Sequence, residues 1–90
     1  MAPTYALYVL ELGDGSLYVG HTWNVTRRVA QHRARGPMAS RICRRVGVRR
    51  LRRALCPQDR YCTRAAAVRA EEALAWKLRR QFRNKLVHQH

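Results

Sequence analysis

The segment that most restricts this chain is YALYVLEL, residues 5–12, followed at once by Gly13-Asp14-Gly15 and then by Ser16-Leu17-Tyr18-Val19-Gly20. Apolar residues fall on both parities of the first stretch, as in a strand covered on both faces. Glycine on either side of Asp14 supplies the positive φ angles of a short hairpin loop. With the turn centred on Asp14, the register opposes Leu10 to Tyr18 and Tyr8 to Gly20. Tyr8 and Tyr18 then share a face as diagonal neighbours, and Gly20 leaves room beside Tyr8. Two phenols beside a gap are either ordinary core residues with a hydroxyl at the rim or the lining of a site.

The next segments are helical or strand-like in turn. Asn24 can cap a helix from about Val25 to Arg35, which Gly36-Pro37 stops. Residues 37–46 read as basic and irregular. Residues 47–55, GVRRLRRAL, read as a third, edge-like strand, and a helix fits them nearly as well. Thr63 can cap a long Ala-rich helix to about Phe82. The chain therefore reads as one α+β domain over residues 1–90, a small three-stranded antiparallel sheet flanked by α-helices.

Charge sets the partner class. Nineteen Lys+Arg against five Asp+Glu give a net charge of +14, which self-repels unless an anion binds it, so nucleic acid is the expected partner. A hydrophobic content of 47% argues for a folded chain. No apolar run is long enough for a bilayer, and Met1-Ala2-Pro3-Thr4 lacks a basic secretory start, so a cytoplasmic address is expected. Cys43, Cys56 and Cys62 show neither an even count nor Cys-x-x-Cys spacing and are expected to be free thiols.

Several residues could carry chemistry. The last helix has an apolar stripe at Val68, Ala75, Leu78 and Phe82 whose vacant position is Glu71. A carboxylate there either pairs with an arginine at the stripe's edge or serves a site, because burial without a partner costs several kcal/mol. Glu72 lies about 100° round the helix and faces solvent. Arg28 and His32, one turn apart, present a fixed cation and a titratable imidazole beside Val25 and Val29, unless they belong only to a basic face. Acids are too few for a two-metal cluster. Asp14 sits in a turn and Asp59 in a loop, so hydrolysis of a phosphodiester would use one Mg²⁺ and a base other than Asp or Glu.

These residues, in this order, resemble the GIY-YIG nuclease domain. The resemblance runs through Ala6-Leu7-Tyr8, Tyr18-Val19-Gly20, the run YVGHTWNVTRRVAQH with Arg28 and His32, and Glu71 in a later helix, covering residues 5–84. The first motif departs from the family in Ala-Leu for Gly-Ile, and its tyrosine is kept. The resemblance implies a DNA endonuclease with one Mg²⁺ (or Mn²⁺). In it Tyr8 is the base that deprotonates water, directly or through His32, and Tyr18 positions the water or the phosphate. Arg28 neutralises transition-state charge, and Glu71 holds the metal. The family's Asn, twelve residues after that Glu, falls on Arg83 here, with Asn84 one residue late.

Affinity is assigned to Arg27 and to the run Arg41, Arg44, Arg45, Arg49, Arg50, Arg52 and Arg53, which can follow a phosphate backbone without reading bases and is in part a solvated face. DNA is the expected partner, with RNA also admitted. Trp23 and Trp76 are either core residues or stacking platforms. Two further readings share the charge: a non-catalytic DNA- or RNA-binding module that needs a partner protein, and a ribosome-associated basic protein.

Overall fold

A computed structural model describes residues 4–89; Met1–Pro3, on which most of the leader reading rests, lie outside the described residues. The hairpin forms as its register requires. β1 (Tyr5–Leu12) and β2 (Leu17–Thr22) are antiparallel, with Tyr8 opposite Gly20 and Leu10 opposite Tyr18. Gly15 takes the positive φ of the turn, and Asp14 accepts hydrogen bonds from the Ser16 backbone and hydroxyl.

The sheet is larger than the three antiparallel strands expected and is mixed. Its order is β3-β1-β2-β5, with β4 on the same edge of β1 as β3. β3 (Val48–Leu51) and β4 (Arg60–Tyr61) pair antiparallel to β1, whereas β5 (Val87–Gln89) runs parallel to β2. β1 is thus central and flanked on both edges, which accounts for its near-complete burial. The third-strand segment is shorter than residues 47–55, because it gives way at Arg53–Leu55 to a 3₁₀ turn.

Among the described residues three α-helices cover the sheet: α1 (Val25–Ala34), α2 (Arg41–Val46) and α3 (Arg64–Gln81). Asn24, Ser40 and Thr63 each accept a backbone N–H in the first turn of the helix they precede. α2 replaces the irregular stretch expected at 37–46. The stop of α1 is Arg35 rather than Gly36: Arg35 adopts the left-handed conformation at φ 56°. Its guanidinium donates to the carbonyls of Arg44 (3.0 Å) and Arg45 (2.9 Å) at the C-terminal end of α2, a favourable place for a cation.

The core has two halves. Tyr8, Leu10, Leu12 and Tyr18 face α1 and α2 through Val29 and Cys43. Val9, Leu17, Val19 and Val87 face α3 through Ala75 and Leu78. The buried line of α3 is Ala67, Glu71, Ala75 and Leu78; Val68 lies one position, about 100°, off it and is largely exposed. The three cysteines are free thiols. Among the described residues no helix is long and apolar enough to cross a membrane.

Candidate active site

Tyr8 is placed by a glycine. A Cβ on Gly20 would lie well inside contact distance of the Tyr8 ring and hydroxyl, so only glycine lets the phenol lie across β2. The Tyr8 hydroxyl and His32 Nε2 are 2.9 Å apart. On the other side of the ring, the Ser40 backbone N–H donates to His32 Nδ1 at 3.1 Å. Ser40 can do this because a helix N-cap has a backbone N–H outside the helix's own ladder. A nitrogen that accepts carries no proton, so neutral His32 bears its hydrogen on Nε2 and donates it to the Tyr8 oxygen. Tyr18 completes the cluster, its ring 5.3 Å from that of His32, edge to face, and 6.2 Å from that of Tyr8.

Tyr8, Tyr18 and His32 are at most 2% exposed. Burial pushes both phenols above the usual tyrosine range, and the charge of Arg28 pulls each of them back. Arg28 is half-buried on α1 and donates to Gln31 Oε1 (3.0 Å) and to the Met38 carbonyl. The four residues singled out on the hairpin and first helix are therefore brought together.

Glu71 reaches the region from α3 and is 1% exposed. Its partner is a histidine, not the arginine that an edge carboxylate would take: His21 Nδ1 and Glu71 Oε1 lie 2.8 Å apart. The His21 ring is also set edge-on to Tyr5 at 6.1 Å. His21 is the residue missed in the sequence. Its signal was the one that exposed Glu71, a polar residue in a buried line, here following Leu17 and Val19 on one face of β2.

The two halves meet at a groove of about 300 Å³ lined by Tyr5, His21, Thr22, Trp23, Arg28 and Arg64. A second hollow of about 240 Å³ shares Thr22, Trp23 and Arg28 and adds Arg27. Trp23 is 62% exposed and Trp76 60%, so neither is a core residue. Among the described residues no group of three or more His, Cys, Asp or Glu could hold a metal. One buried carboxylate backed by an imidazole fits an ion that keeps most of its waters, as Mg²⁺ does, and does not fit a multi-carboxylate cluster.

The arginine run divides. Arg41, Arg44 and Arg45 are exposed on α2. Arg49, Arg50 and Arg52 instead converge on the buried Glu11 carboxylate at 3.0, 3.3 and 3.2 Å. Asn84 stands apart from the tyrosines: it shares a hollow with Asp14, Gly15 and Ser16 at the turn end of the hairpin, where Lys85 Nζ donates to the Gly15 carbonyl.

Relatives similar to this chain carry the name UPF0213 protein. That of Streptococcus sanguinis (strain SK36) is 38% identical over 74 residues, 81% of this chain and 77% of the relative. That of Natronomonas pharaonis is 36% identical over 87 residues, 97% of this chain and 94% of the relative. The match to the Serratia proteamaculans (strain 568) protein is 56% identical but spans only 32 residues, 31% of that relative. No family model matches the chain, and neither does any solved structure.

Proposed function

The chain belongs to the UPF0213 protein family, and from that premise we propose that it is a GIY-YIG-type endonuclease, hydrolysing DNA phosphodiesters with one metal ion and little base specificity. The observation that carries this reading is the convergence of Tyr8, Tyr18 and His32 with Arg28, which lines one groove together with His21, the partner of buried Glu71.

Tyr8 is the base. For its oxygen to take a proton from water, its own proton must first leave to solvent. His32 cannot receive it while Nδ1 holds the Ser40 N–H, since both ring nitrogens would then be protonated. The imidazole acts as a donor instead, and Arg28 favours the phenolate against the burial that opposes it. Tyr18 orients the water or the phosphate, and Arg28 offsets charge on the phosphorane-like transition state. Glu71, aligned by His21, would hold Mg²⁺ or Mn²⁺, which would supply charge to offset that developing on the leaving oxygen.

Duplex, single-stranded and branched DNA incubated with Mg²⁺ test this. Tyr8→Phe, Arg28→Ala and Glu71→Gln should each lower the cleavage rate by about 10²-fold or more, with binding largely kept because the α2 arginines are untouched. Intact substrates with wild-type protein, or a Glu71→Gln variant that cuts as well as wild type, would overturn it.

The burial of Tyr8, Tyr18, His32 and Glu71 favours a second reading, a DNA- or RNA-binding module whose site opens only on a partner protein. Binding that persists in EDTA, no cleavage with any divalent metal and activity restored by a partner would select it.

A further inference from the structure

We propose that the cavity behind Tyr18 is a subsite for one unstacked nucleotide, with its base inside and its phosphate on Arg41 and Arg45. The nucleotide class rests on the nuclease reading; the subsite rests on the cavity itself. The cavity holds about 500 Å³ and is lined by Tyr18, Ser40, Arg41, Ile42, Arg45, His88 and Gln89, a volume within the range of small-molecule sites, roughly 300–1,000 Å³.

Its position follows from the sheet. β5 pairs in parallel with β2 so that His88 lies beside Tyr18. Val87 enters the α3 half of the core, and side chains alternate along a strand, so His88 stands on the face that carries Tyr18, α1 and α2. His88 Nε2 is the buried side-chain polar atom that lacks a hydrogen-bond partner among the described residues. A buried polar atom without a partner is costly and calls for an explanation, which a bound ligand supplies.

The chemistry of the walls selects the ligand. Ile42 and the edge of the otherwise buried Tyr18 make the apolar wall, while His88 Nε2 and the Gln89 amide supply polar groups toward the edge of a base. Arg41 and Arg45, one turn apart on α2, are exposed at the rim with the spacing to grip a phosphate. A paired base inside a duplex cannot enter, so the subsite favours DNA with an unpaired nucleotide near the scissile bond, whose unstacking is already complete.

The test needs no cleavage. In EDTA, wild-type protein is titrated into a short DNA hairpin with a fully paired stem and into the same hairpin carrying one bulged 2-aminopurine. We expect binding about tenfold tighter to the bulge, with a change in 2-aminopurine fluorescence. His88→Leu and Arg45→Glu should each erase the preference, and Lys77→Ala, an exposed cation on α3, should keep it. Circular dichroism checks the fold, and Arg45→Glu on the exposed helix face keeps the test decisive if His88→Leu does not fold. Equal affinity of wild type for both hairpins, unchanged fluorescence, or a preference that survives Arg45→Glu would overturn the subsite. Free 2-aminopurine deoxynucleoside monophosphate binding as tightly as the bulge would overturn its assignment to a DNA strand. A bulge preference without cleavage in Mg²⁺ sinks the nuclease reading alone, and cleavage without the preference sinks the subsite alone.

Discussion

The smallest residue at the site controls the largest. Gly20 exists so that Tyr8 can lie across β2, and any Cβ there meets the phenol. Gly20→Ala should therefore destabilise the protein by about 1–3 kcal/mol, the usual penalty of overpacking, seen as a lower thermal midpoint. Tyr8 makes a second prediction. Burial raises its phenol above the ordinary 10.0, so the folded chain retains a proton that the unfolded chain releases. That contribution is whole below pH 10 and is lost as pH rises beyond it. Urea unfolding at about pH 8 and about pH 11 should show a smaller alkaline loss in Tyr8→Phe than in wild type. Glu71 was legible because a carboxylate in an apolar stripe demands a partner. The identity of that partner was not, because His21 and Glu71 are 50 residues apart and only packing α3 on the sheet joins them.

At the scale of elements, β3 is fastened to β1 by charge as well as by its ladder. Arg49 and Arg50 of β3 hold the Glu11 carboxyl below its usual range, with the Arg49 hydrogen bond the largest cause. A depressed carboxyl stabilises the fold above its unfolded pKa, near 4.5, and that support is lost as pH falls through the lower folded value. Glu11→Gln should be less stable at neutral pH and should lose less stability on acidification, followed by circular dichroism. Caps at Asn24 and Thr63 and the hairpin register were readable because they depend on neighbours in the chain. α2 and β5 were not: six and three residues are too short to show a period, and each is held by a distant partner. The Ser40 cap of α2 also serves His32, a link no local pattern contains.

In the proposed activity the whole molecule binds through charge that its fold has sorted. With +14 overall, affinity for DNA should fall linearly in log–log form with salt. Arg41→Ala should reduce that slope by about 0.9 for the one phosphate it no longer neutralises. Arg49→Ala should instead be felt chiefly in unfolding, since Arg49 is engaged with Glu11. Fluorescence anisotropy across a salt series, beside urea titrations, separates the two.

The sequence by itself determined the hairpin, the two longer helices and their caps, the α+β class, and the cluster of residues that resembles a nuclease site. Each follows from local periodicity, turn chemistry or motif spacing. Tertiary structure alone decided that the sheet is mixed and, among the described residues, five-stranded, that His21 holds Glu71, that Glu11 takes up part of the arginine run, and that His88 lines a cavity beside Tyr18. The physical reason is distance along the chain: these pairings join residues dozens of positions apart, and only burial, which makes a lone charge or polar group costly, selects which of many candidates meet.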